Sequence, residues 1–146
     1  MLKSRVATVF GAVAAATMLT MTTASAVDGH ERATGLSGPG WDEFECADQV
    51  DSRSCFFHDG DWFAIEDTDA DGHSAVVKWW VTSAFDENAP KLRSGYIWNI
   101  DGNNTLRYKN KDLPENEYVW FQTCTGEWST HKLTSGSCSL TTVALA

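Results

Sequence analysis

The apolar residues of this chain recur at every second position, and no stretch keeps a 3.6-residue apolar period for three turns. Between Ser74 and Ser83, Ala75, Val77, Trp79 and Val81 alternate with Val76, Lys78, Trp80 and Thr82. On an extended strand these sets point to opposite faces, and the face without Lys78 is the expected core side. Around Asp59-Gly60, a dipeptide suited to a tight turn, Ser54–His58 and Asp61–Glu66 form a predicted hairpin. Its register sets Phe57 opposite Trp62 and Phe56 opposite Phe63, so aromatic pairs fall on both faces and one face needs a cover other than water.

Further strands are expected at Gly95–Ile100, Thr105–Lys109, Tyr118–Cys124 and around Cys138–Ala144. Pairing Gly95–Ile100 with Thr105–Lys109 across Gly102-Asn103-Asn104 puts Tyr96, Trp98 and Ile100 on one face with Leu106 and Tyr108. Ile97, Asn99, Arg107 and Lys109 then lie on the outer face. The one helical candidate is Asp42–Val50, where Phe44, Ala47 and Val50 recur every three residues. The reading is an all-β, about seven-stranded antiparallel sandwich of immunoglobulin-like or jelly-roll-like kind.

Residues 1–26 read as a secretory signal: Lys3 and Arg5, an apolar run from Val6 to Leu19, then Ala24-Ser25-Ala26. Cleavage near Ala26 leaves nine basic against twenty acidic residues, a formal charge of −11. That balance excludes non-specific binding to nucleic acid or, after cleavage, to anionic membranes, both of which need clustered Lys and Arg. Residues 27–40, rich in Gly, are expected to be a flexible arm, and residues 41–146 a single, monomeric domain. Cys46, Cys55, Cys124 and Cys138 form an even set in an exported chain and read as disulfides, with Cys46–Cys55 and Cys124–Cys138 favoured as the local pairs. No C-x-x-C pair favours zinc instead.

On the stretches Cys55-Phe56-Phe57-His58-Asp59-Gly60-Asp61, Glu66–Ala75, Asn110–Glu115 and Cys124–Cys138, the chain resembles small secreted actinobacterial proteins of Streptomyces type, a family of uncharacterised function. The resemblance implies export and a disulfide-bonded β-sandwich, and it carries over no catalytic residue.

Candidate sites follow from residue chemistry. Asp67, Asp69 and Asp71, before Gly72, match the first half of a calcium loop. The twelfth position is Lys78 rather than Glu, which excludes an EF-hand and leaves a looser calcium site or a plain polar turn. Trp80 and one of the adjacent pair Trp120 and Phe121, which must point to opposite faces, are the aromatic candidates for stacking on an extracellular ligand, a glycan or a protein, with Lys78 beside Trp80 and Trp120 the one named for the site; the competing reading buries them under a loop or the arm. A carboxylate pair for hydrolysis is not visible in the sequence; Glu66 beside the calcium-like loop and Glu127 beside Trp128 are single candidates, and both read equally as ordinary strand and turn residues. The four histidines form no local metal pair. The expected function is a secreted binding module without catalysis or cofactor beyond weak calcium. The alternatives are a carboxylate-based hydrolase of an extracellular or envelope polymer and a structural envelope or matrix component.

Overall fold

The computed structural model describes residues 25–40 and 42–146. The expected leader falls almost wholly outside them. Ten strands follow in order: β1 Ala26–Arg32, β2 Phe44–Gln49, β3 Ser52–Phe57, β4 Trp62–Asp67, β5 Ser74–Thr82, β6 Lys91–Asn99, β7 Thr105–Asn110, β8 Tyr118–Glu127, β9 Lys132–Leu133 and β10 Thr142–Leu145. They form two sheets. The larger has the order β1-β6-β5-β8-β10, with β9 on β8, and the smaller runs β2-β3-β4-β7. Among the described residues no helix is long and apolar enough to cross a membrane.

The alternation of β5 builds the core as expected. Ala75, Val77, Trp79 and Val81 face Phe56, Phe63 and Ile65 of the smaller sheet, with Ile97, Val119 and Phe121 beside them. Phe63 is the centre of an aromatic cluster, 5.0 Å from Phe56 and 5.9 Å from both Trp79 and Phe121 between ring centroids. Each such pair adds about 0.5–1.5 kcal/mol beyond simple burial. The hairpin register is also as read, with Phe56 opposite Phe63 and Phe57 opposite Trp62. The positive φ values fall on Gly60 and Asp61, so the turn spans four residues rather than two.

Both outer faces carry smaller apolar layers, each holding one disulfide. Phe57, Ala64 and Tyr108 pack with Cys46–Cys55 on one, and Val76 and Trp98 with Cys124–Cys138 on the other. The cover over Tyr108 is the segment that carries Gly35 and Gly38. Gly35 exchanges two backbone hydrogen bonds with Tyr108, and a side chain at Gly38 would strike the Tyr108 ring at 2.3 Å.

Three sequence expectations are corrected. Asp42–Val50 is not helical but contains β2, an edge strand whose Cys46 sits directly opposite Cys55. β6 and β7 do not pair with each other: β6 lies between β1 and β5, while β7 pairs with β4 in the other sheet. Asn104 takes its positive φ, but the connection changes sheets instead of closing a hairpin. The assigned face of β6 therefore inverts. Ile97 and Asn99 are fully buried, and the Asn99 amide donates to the carbonyls of Ile65 and Thr105, fastening the two sheets together.

The third correction concerns residues 27–40. Their composition predicts a loose arm, yet residues 26–32 form an edge strand parallel to β6. Polar contacts hold it. Residues three apart on a regular strand face opposite ways, but the register shift at Gly29, whose φ is 71°, lets Asp28 and Glu31 reach the same buried Lys111 ammonium. Arg93 clamps Asp28 with two bonds of 2.9 and 2.8 Å. Burial works to raise the Asp28 carboxyl, but the hydrogen bonds from Arg93 and Lys111 outweigh it and hold the group below the usual carboxylate range.

On the outer side of β1, His30 stacks on Tyr96 at 4.7 Å and on His131 at 4.4 Å, with Trp98 and Trp128 completing the aromatic group. The Trp98 indole N–H donates to His30 Nδ1 at 3.0 Å. Indole nitrogen is a donor only, so His30 is neutral with its proton on Nε2. Burial, and then the charge of His131, push the His30 pKa down from 6.5. The unfolded chain thus protonates first on acidification, and stability falls as pH drops from about 6.5 through the lower folded-state value. Urea midpoints measured between about pH 7 and about pH 5 are expected to fall more steeply for the native protein than for His30→Gln, which accepts the same hydrogen bond without titrating. Parallel slopes would contradict this.

Candidate functional site

At one end of the sandwich four chain segments line an open cavity of about 400 Å³, formed by Gln49, Val50, Asp51, Asp71, His73, Thr125 and residues 134–137. The end of β2 and the β2–β3 turn supply Gln49 to Asp51, the β4–β5 loop supplies Asp71 and His73, β8 supplies Thr125, and the segment after β9 supplies the hydroxyl-rich wall. These walls are fastened to one another. Gln49 Nε2 donates to Ser137 O at 3.4 Å, Thr68 Oγ1 to Val50 O at 3.2 Å, and Ser137 Oγ to the carbonyls of Thr125 and Thr134. Each disulfide lies behind a wall. Cys46–Cys55 staples the hairpin that carries Gln49 to Asp51, and Cys124–Cys138 anchors residues 134–137 to β8. Beneath them, Ser54, Thr123 and Ser52 form a buried chain of hydroxyls between the sheets, at 3.0 and 2.9 Å.

The cavity rim is acidic. Carboxylate oxygens of Asp51, Asp69 and Asp71 lie within 4.8 Å of one another, and the chemistry of that donor set suits a hard cation such as calcium. The sequence pattern groups Asp67 with Asp69 and Asp71. The fold puts Asp51 in its place, because Asp67 still belongs to β4 and shares the inward parity of Phe63 and Ile65. Asp51 arrives from a distant hairpin joined to the loop by Thr68, an encounter that no spacing in the sequence signals. His73 Nδ1 meets Glu127 Oε1 at 2.7 Å beside the same cavity, so Glu127 orients an imidazole there. Glu66 is on β4 in the other sheet.

Asp67 itself is 2% exposed; Oδ1 accepts the Asp69 N–H at 3.3 Å and Oδ2 has no partner among the described residues. Burial pushes its carboxyl pKa up, the Asp69 N–H opposes this, and the charges of Asp71, Asp69 and Asp51 push it up further. A raised folded-state pKa means that ionised Asp67 costs stability at neutral pH, and the cost fades as pH falls through that value. Asp67→Asn keeps the acceptor for Asp69 without the charge. Its unfolding free energy in metal-free buffer is expected to rise at neutral pH, because a neutral amide is less costly to bury than a carboxylate, with the advantage shrinking on acidification. A lower urea midpoint than the native protein would contradict this account of Asp67.

The aromatic candidates sit where the alternation puts them but are not open for stacking. Trp80 and Trp120 are register partners on the outer face of the larger sheet, 6% and 9% exposed. Trp80 Nε1 donates to Glu87 O, Trp120 Nε1 to Thr82 Oγ1, and Phe85 covers Trp120 at 5.5 Å. The loop between β5 and β6 is the lid, and the little indole surface left open is too small for a sugar ring to lie on. Lys78 remains half-buried beside Trp80. Comparison with protein-family models, curated proteins and solved structures finds no match to the chain.

Proposed function

We propose that this chain is an exported, monomeric binding module without catalysis, whose ligand seat is the cavity at the loop end of the sandwich and whose ligand is a neutral, hydroxyl-rich molecule, a glycan. The observation that carries this reading is the bracing of the cavity: both disulfides and a set of cross-segment hydrogen bonds hold its walls. Walls fixed in advance reduce the ordering cost of binding. Carboxylates, an amide and hydroxyls on those walls offer acceptors and donors to sugar hydroxyls, and the acidic rim disfavours anionic ligands. In this reading calcium joins the ligand at Asp51, Asp69 and Asp71, where sugar hydroxyls would complete its oxygen shell. The two disulfides suit an oxidising compartment, and the export reading expects the secreted form to begin at Val27 in intact-mass measurement.

The test is a thermal melt of the secreted protein, read by Trp fluorescence, with neutral oligosaccharides in millimolar calcium and again in EDTA. A ligand that binds only the folded state raises the midpoint, by about 2.7 kcal/mol equivalent at a hundredfold excess over Kd. A rise with oligosaccharide that EDTA reverses supports the reading, and midpoints unmoved by any combination overturn it. A hydrolase reading rests on the same acidic cavity and on His73 oriented by Glu127, and release of reducing ends during incubation would favour it.

A further inference from the structure

A second cleft, of about 80 Å³, opens on the larger sheet between Val27 of β1 and Lys78, Trp79, Trp80, Lys91, Ser94, Gly95 and Tyr96. Lys78 and Lys91 line it from different strands, and each Nζ lies near the Trp80 ring, 5.5 and 5.0 Å from its centroid. Five of the nine basic side chains beyond residue 26 are held in ion pairs: Arg53, Arg93, Arg107, Lys109 and Lys111. Among the described residues neither Lys78 nor Lys91 has such a partner, although acidic side chains outnumber basic ones about two to one. Each ammonium is attracted to the indole ring, and both raise the positive potential of the cleft they line. An anion seated in the cleft gains from both.

We propose that this cleft binds a single oxyanion group, a phosphate, sulfate or carboxylate. Lys78 and Lys91 supply charge, Ser94 and Tyr96 supply hydroxyl donors, and the buried Trp80 ring forms the floor. Its volume suits one such group rather than a length of polymer. The lid loop keeps the floor rigid, since Trp80 Nε1 is already engaged by Glu87 O. On the reading that the leader is cleaved after Ala26, the new α-ammonium of Val27 lies at the same cleft and adds a third positive charge. The site would then reach full strength only after processing.

The experiment titrates the secreted protein with inorganic phosphate, sulfate and acetate at constant ionic strength, following backbone amide shifts and Trp fluorescence. Saturable shifts confined to residues 78–80 and 91–96, with affinity at least tenfold weaker in a Lys78→Gln/Lys91→Gln variant of unchanged near-UV dichroism, support the site. The ranking of the three anions identifies the group. Linear shifts spread over the surface, or saturable ones that survive the double substitution, overturn it. A version carrying a Gly-Ser extension ahead of Val27 should bind severalfold more weakly, and equal affinity would remove the α-ammonium from the site. Oligosaccharide binding at the proposed loop-end cavity is expected to be unaffected by these substitutions, which share no lining residue with it, so the two sites fail separately.

Discussion

Lys111→Ala is expected to lower the unfolding free energy by about 3 kcal/mol, measured by urea denaturation. Its ammonium side chain is 3% exposed, touches Asp28 and Glu31, and lies 5.1 Å from the Trp79 ring. Breaking a buried pair costs about 3–5 kcal/mol because a charge is left buried and alone. The lower end applies because Arg93 still clamps Asp28 and Lys109 still meets Glu31 at 3.3 Å. Both carboxylates belong to β1, so the amides of residues 26–32 should lose hydrogen-exchange protection before the rest of the larger sheet. The lowered pKa of Asp28 also assigns the sign of the pH effect: the stability this network contributes is present above the ordinary carboxylate range and is lost as pH falls through the folded-state value. A loss below about 1 kcal/mol, the range of exposed pairs, would mean that Lys111 is solvated and that β1 is held by something else.

The second large effect is expected from Cys124→Ala with Cys138→Ala. The bridge spans 14 positions, and closing a loop of that size stabilises by about 3 kcal/mol, chiefly by restricting the unfolded chain. Cys124 is fully buried among Val76 and Trp98, so alanine avoids leaving a buried hydroxyl there. The double variant should remain folded at low temperature, because the Phe63-centred core is untouched. Its 134–137 wall loses its anchor, however, and oligosaccharide affinity should drop by more than the loss of the Cys46–Cys55 bridge alone would cause. Equal affinity in the double variant and the native protein would separate stability from function and deny the bridge any role in shaping the cavity.

What could be read in advance was local and periodic. The Phe56–Phe63 register, the inward face of β5 and both cysteine pairs follow from alternation, one turn dipeptide and short spacing. The β6–β7 connection was not legible, because Gly102-Asn103-Asn104 serves equally to close a hairpin or to step between sheets. What decides is Asn99, whose amide finds Ile65 in the opposite sheet. β1 was hidden for a different reason. Its segment has almost no large apolar residues, and its binding energy comes from Asp28, Glu31 and His30 meeting partners 65 or more residues away. The loop-end site shows the same limit. Asp69 and Asp71 are visible as a pair, but Asp51 joins them only through tertiary structure. Facing direction was legible for Trp80, and for Trp120 only as one of a pair with Phe121, whereas exposure was not, since the lid that buries both tryptophans lies between strands and has no periodicity of its own.

The central claim is that the cavity braced by the two disulfides is where this module takes its ligand. The most direct measurement is a titration of isotopically labelled protein with neutral oligosaccharides in millimolar calcium, mapped on backbone amides. The account predicts saturable shifts concentrated at residues 49–51, 69–73 and 134–137, with the Trp80 face and the β1 edge unmoved. Saturable shifts centred elsewhere on the molecule, or none at these three segments for any oligosaccharide, would contradict it.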